Sequence, residues 1–172
     1  TKPDVIVAYG AVDVQAVLLS TRTIPVVMIY APDPVALGFA ASLARPGGNV
    51  TGVSSRAMEL APKRLDVLKM LVPRLNRVWF VYQDSDITDT AALANVREAA
   101  RRLRIELLVR TINDPNELAL VLKDAKPGDA VLAPAKETSG ISAAIFNVAG
   151  ISSIFPTAPW VERGALVSYG PD

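Results

Sequence analysis

Short β-branched runs alternating with helical periods constrain this chain more than any other feature of its sequence. Runs rich in Val, Ile and Tyr fall at 5–9, 26–30, 50–54, 77–82, 105–110, 130–133, 153–155 and 165–169. Helical patterns lie between them at 12–20, 34–43, 59–71, 88–103, 115–123 and 142–149. Short continuous apolar strands suit burial on both faces, and repeated βαβ alternation demands a parallel sheet with right-handed crossovers. The fold class is therefore α/β. Asp33-Pro34 and Asp114-Pro115 each read as a capping carboxylate followed by proline at the first helical position, while Pro73 and Pro127-Gly128 read as stops. Residues 40–52 read as a helix stop, a Pro46-Gly47-Gly48 turn and the start of a strand, a crossover between two α/β units.

Composition narrows the chemistry. The 172 residues suffice for one domain, or for one lobe plus part of another, and the 51% apolar content supports a buried core. Eighteen basic and seventeen acidic residues leave a net charge of +1, which favours neither nucleic acid nor an anionic membrane surface. Four arginines between Arg97 and Arg104 read as a solvated helix face. With neither cysteine nor histidine, the chain has no thiol or imidazole catalysis, no ordinary transition-metal site and no implied cofactor. No apolar run reaches the roughly 20 residues of a membrane span. Thr1-Lys2-Pro3-Asp4 runs straight into a strand with no signal-like segment, so the chain is expected to start inside a larger parent sequence. Residues 1–54 hold too little to cover both faces of a parallel sheet, and their exposed sheet edges are expected to be satisfied by self-association into a homo-oligomer.

In open parallel sheets ligands bind beyond the carboxyl ends of the strands. Those ends carry Tyr9, Gly10, Ala11 and Val12, then Tyr30 to Asp33, then Tyr82 to Asp86, then Phe155 to Thr157. All four tyrosines, at 9, 30, 82 and 169, fall at strand ends, where each can either pack at a strand terminus or line a cleft. Asp33, Asp84, Ser85 and Asp86 can serve as helix caps or as ligand partners. Acidic groups beside the free N–H groups of a helix start suit a zwitterion such as an amino acid, whose two ends need opposite partners. Gly47-Gly48 lacks the lysine and spacing of a phosphate loop, Asn49-Val50-Thr51 matches a glycosylation acceptor only formally, and Ser139-Gly140 is no nucleophile elbow.

Several runs carry a family resemblance: PDVIVAYG at 3–10, SLARPGGNVTG at 42–52, Lys63-Arg64-Leu65 with the helix that follows, and GALVSYGPD at 164–172. Together they resemble the ABC-transporter substrate-binding proteins related to the tryptophan/tyrosine transport component, over nearly the whole chain. The resemblance implies a type I periplasmic-binding fold, with three-layer αβα lobes closing on a small solute, often an amino acid, and passing it to a membrane permease without breaking bonds. It places 1–54 in the second half of an incomplete amino-terminal lobe plus the crossover, and 55–172 in most of the carboxy-terminal lobe. It further implies that two strand–helix units precede Thr1, that a helix follows Asp172, and that the protein is periplasmic or cell-surface. The loops after Tyr9, Tyr30, Ser54 and Tyr82 would line the cleft. The expected ligand-binding set is Tyr9, Gly10, Ala11, Tyr30, Asp33, Ser54, Tyr82, Asp84, Ser85 and Phe155, with no catalytic or metal-binding residue.

The chain departs from the family pattern at Ala11, where many members carry a small hydroxyl residue, and at Gln83-Asp84, where an Asn-Pro pair is common. Residues 135–150 are shorter and less charged than usual, with Lys136-Glu137-Thr138 replacing an aromatic-rich loop. These departures bear on which solute is held. Two further classes fit the residues: an α/β enzyme, which turnover of a bound solute would reveal, and the ligand-sensing domain of a regulator.

Overall fold

A computed structural model describes residues 2–83, 87–133 and 151–170. The chain divides into two compact units, Thr1–Ala57 and Met58–Asp172, each built around its own parallel sheet.

In the first unit β1 (Ile6–Tyr9), β2 (Val26–Ala31) and β3 (Val50–Ser54) form a sheet of order β1-β2-β3, all parallel. Helix α1 (Gly10–Ser20) connects β1 to β2. It buries Ala11, Val14 and Leu18, and the sheet buries Ala8, Val26, Met28 and Val50. The alternate positions Val5, Val7, Tyr9, Ile29 and Val53 are exposed, so one face of this sheet carries a band of apolar side chains open to solvent. The β2–β3 register shifts between Met28 and Ala31, and there Tyr30 adopts a left-handed backbone with φ 63°.

The segment expected as a helix over 34–43 is a single turn. Asp33 caps it as expected, its Oδ1 accepting from the N–H groups of Val35 and Ala36 at 3.1 and 3.0 Å. Gly38 then takes φ 73°, its N–H donating to Val35 O, while Phe39 N–H donates to Pro34 O. That pair of bonds around a left-handed glycine is a Schellman stop, and it ends the helix four residues after it begins. The Pro-Gly-Gly turn follows, with Gly47 at φ 78°. Asn49 donates from Nδ2 to Ile24 O at 2.8 Å, tying the entry of β3 to the loop before β2.

The second unit has a five-stranded parallel sheet of order β5-β4-β6-β7-β8, comprising β4 (Arg77–Tyr82), β5 (Glu106–Thr111), β6 (Ala130–Leu132), β7 (Ser152–Phe155) and β8 (Val167–Ser168). Helix α2 (Ala57–Leu71) precedes β4, and α3 (Ile87–Leu103) joins β4 to β5. Their buried positions, Ala61, Leu65 and Leu68 on α2 and Ala92, Val96 and Ala99 on α3, recur at helical spacing. Five of the six β4 residues are buried, the pattern of a central parallel strand covered on both faces. Trp79, Val81, Leu118, Val131, Phe155 and Trp160 form the core of this unit on one side.

Between β5 and β6 the helical pattern expected over 115–123 breaks into a 3-10 turn (Pro115–Glu117), a four-residue α4 (Leu118–Val121) and a second 3-10 turn (Leu122–Asp124). Asp114 still caps its start, accepting from Asn116 N–H at 2.8 Å. A short helix not expected from the sequence, α5 (Pro159–Glu162), buries Trp160 between β7 and β8. The strand expected over 165–169 shrinks to the two residues of β8. The helix expected over 142–149 lies outside the described residues. Two of the four arginines of 97–104 are paired with surface acids, Arg101 with Glu98 at 2.8 Å and Arg102 with Asp66 at 2.7 Å, as expected of a solvated helix face.

Candidate functional site

The carboxyl edge of the first sheet brings most of the expected residues of its unit together. Tyr9 closes β1 and Gly10 opens α1 at φ 71°, with no atom within 4 Å of where a Cβ would stand. Ala11 is buried beneath the first turn of the helix. The rings of Tyr9 and Tyr30 lie parallel, centroids 6.1 Å apart and planes 2° apart, and both side chains are substantially exposed. Two stacked, exposed rings at strand ends form an aromatic platform flanked by phenol hydroxyls. The bulge explains how Tyr30 gets there: its left-handed backbone breaks the strand alternation and leaves it exposed beside Ile29. Asp33 sits next along the chain, but its Oδ1 is engaged in the cap.

Ser54 ends β3, and its Oγ accepts from the Arg56 N–H at 3.2 Å. Arg56 has a left-handed backbone, φ 51°. Both residues line a cavity of about 330 Å³ on the flank of β3, under the loop that follows the Schellman stop. Met28, Pro34, Ala40, Leu43 and Val53 wall it, with Ser42 and Thr51 as further polar lining. Gly52 also lines the cavity, and a Cβ there would stand 1.9 Å from Met28 O, so only glycine lets β3 approach β2 this closely. Sequence reading had no signal for this cavity, because it depends on a loop replacing a helix.

In the second unit, Tyr82 ends β4 and Phe155 ends β7, at the carboxyl edge as expected. Both rings are buried rather than presented. Tyr82 packs on Phe80 at 5.1 Å between centroids, and Phe155 stacks on Trp160 at 5.1 Å. They support that edge from beneath. Asp84 and Ser85 lie outside the described residues. Among the described residues no group of three acidic, Cys or His side chains could hold a metal ion, and no helix is long and apolar enough to cross a membrane.

Two parallel α/β sheets whose polar and aromatic groups collect at the strand carboxyl ends define the lobes of a periplasmic-type binding protein. The chain belongs to the ABC transporter substrate binding protein family, whose description matches residues 1–172. It is 29% identical over 117 residues to the tyrosine-binding protein of Clostridioides difficile, an alignment covering 68% of this chain and 33% of that protein. Among solved structures, a conserved domain protein from Vibrio cholerae superposes with a TM-score of 0.83 at 26% identity, covering 97% of this chain and 57% of the other. An ABC domain from Streptococcus pneumoniae in complex with L-Trp superposes at 0.81 and 24% identity, covering 98% and 58%, and shares the fold. A ligand-free, open substrate-binding protein with adhesive properties from Clostridium difficile gives 0.60 at 25% identity, over 95% and 56%. The chain thus spans a third to somewhat over half of the length of these relatives.

Proposed function

We propose that this chain is the solute-capturing part of an ABC importer's binding protein, that its solute is a small amino acid with an aromatic side chain, and that the solute passes unaltered to a membrane permease. The observation that carries this reading is the parallel, exposed Tyr9–Tyr30 pair at the carboxyl edge of β1 and β2, in a chain that belongs to this family throughout its length. A flat apolar ring stacks on such a pair, and hydroxyl and backbone N–H groups at the same edge can meet a zwitterion. The 29% identity to a protein named for tyrosine binding supports the same solute class. In this reading Tyr9, Gly10, Ala11, Tyr30, Asp33 and Ser54 meet the solute at strand ends of the first unit, Asp84 and Ser85 are proposed as contacts after β4, and the buried Tyr82 and Phe155 act only by supporting the strand ends they close. The protein works in the periplasm or at the cell surface, as importer binding components do, and copies of it associate through exposed sheet surface.

Micromolar capture corresponds to about −8 kcal/mol. Calorimetric titration with tyrosine, tryptophan and phenylalanine, followed by non-aromatic amino acids, tests the solute class. Tyr30→Ala is expected to weaken binding of the aromatic amino acids by about tenfold or more, the size of a lost aromatic stack with its buried area. Asp84→Ala is expected to weaken them as well, whereas Tyr82→Phe, which keeps the buried ring, preserves the fold. Unchanged affinity in Tyr30→Ala would rule out the platform.

A further inference from the structure

The cavity beside β3 has a composition that names what it would hold. Among the described residues its walls are apolar at Met28, Pro34, Ala40, Leu43 and Val53, its one charged lining residue is Arg56, and no acidic side chain lines it. At about 330 Å³ it falls at the small end of ligand sites, the range of an amino acid or a small organic acid.

The residues around Arg56 carry local costs that packing does not explain. Arg56 holds φ 51°, a conformation unfavourable for any residue with a Cβ. Its neighbour Ser55 is 6% exposed, and although its N–H donates to Ala31 O at 2.9 Å, its Oγ makes no hydrogen bond. Gly52 and the β2 bulge add two more irregular backbones at the same corner. Such costs gather where a segment is shaped for binding rather than for stability. Helix α2 opens at the very next residue, Ala57, and the positive end of a helix dipole favours an anion there.

We propose that Arg56, at the rim of this cavity, is the residue that reads the solute's carboxylate, and that the apolar walls take part of the solute's body. This rests on the solute-binding function proposed above and deepens it: the first unit recognises an anion joined to an apolar group, and specificity comes from the carboxylate rather than the ammonium. A planar guanidinium offers five N–H donors and can pair with both carboxylate oxygens at once.

The test is calorimetric titration of the 172-residue chain with three probes: L-phenylalanine, L-phenylalaninamide, which lacks the carboxylate, and 3-phenylpropionate, which lacks the ammonium. Wild-type protein is expected to bind the two carboxylates at least about tenfold more tightly than the amide, the scale of a charge-assisted hydrogen-bonded pair. Arg56→Gln is expected to erase that preference, with far-UV circular dichroism unchanged. Thr51→Phe, at an exposed lining position, is expected to weaken both carboxylates by filling the cavity, and it carries the test should Arg56→Gln fold poorly. If Arg56→Gln binds L-phenylalanine and keeps its preference over the amide, or if Thr51→Phe leaves affinity unchanged, the assignment of the carboxylate to Arg56 is overturned and the solute-binding function stands. If wild-type protein binds none of the probes or of the other amino acids, both fall together.

Discussion

Tyr30, Arg56 and Arg104 are the described residues other than glycine that hold a left-handed backbone, and each has a different cause. Tyr30 occupies a bulge that turns its ring outward, and Arg56 bridges β3 to α2. Arg104 ends α3. Its N–H donates to Arg101 O and the following Ile105 N–H donates to Ala100 O, the bonding of a Schellman stop with arginine where glycine is usual. Arg104→Gly is therefore expected to stabilise the second unit by about 0.5–1 kcal/mol, read as a raised denaturation midpoint, because it relieves the left-handed cost at an exposed position. The sequence placed tyrosines at strand ends, since identity and spacing are visible in it. It could not show that Tyr9 and Tyr30 stack while Tyr82 is buried, because that choice depends on a bulge in β2 and on Phe80 beneath Tyr82.

At the scale of elements, β4 is anchored by a polar cluster that no motif announced. Trp79 donates from Nε1 to Asp129 Oδ2 at 2.9 Å, Lys126 N–H donates to the same oxygen at 3.0 Å, and the Arg77 guanidinium lies 3.5 Å from it. Arg77 and Arg110 also approach the Trp79 ring, at 5.9 and 5.8 Å from its centroid. Asp129 is 3% exposed, so removing its carboxylate strands the buried Trp79 Nε1–H and the part-buried Lys126 N–H. Asp129→Ala is expected to cost about 3 kcal/mol and Asp129→Asn, which keeps an acceptor, about 1 kcal/mol. Both tryptophans, Trp79 and Trp160, belong to the second unit, so tryptophan fluorescence during urea unfolding isolates the effect. Strands were the legible elements: β3 and β4 have the limits their β-branched runs indicate, and β1, β2 and β5 differ by a residue. The helix over 34–43 was misread because apolar spacing alone carries no backbone angle, and Gly38 at φ 73° overrode it. The short α5 was missed because a single turn holding one buried tryptophan leaves no period to detect.

For the whole molecule, parallel α/β architecture was readable from the alternation of elements, and family membership from four short runs. So was the want of cover for the first sheet, since residues 1–54 hold too few elements for both faces, but which side chains stand on the open face depends on the strand register and on the bulge in β2. Val7 and Val53 are 62% and 69% exposed on that face, beside Tyr9 and Ile29. An uncovered band of this kind on a parallel sheet drives association. The chain is expected to show a concentration-dependent rise in mass by light scattering, and Val7→Lys with Val53→Lys to return it to the monomer mass. A constant mass for both proteins would remove self-association from the reading. The Schellman stop at Gly38 has a wider reach than its four residues suggest. A full helix across 34–43 would have laid a roof along the flank of β3, and a left-handed glycine holds that roof to its first rafter. The opening beside β3 thus lies under a loop whose first bend is a backbone angle that glycine, lacking a Cβ, takes at little cost.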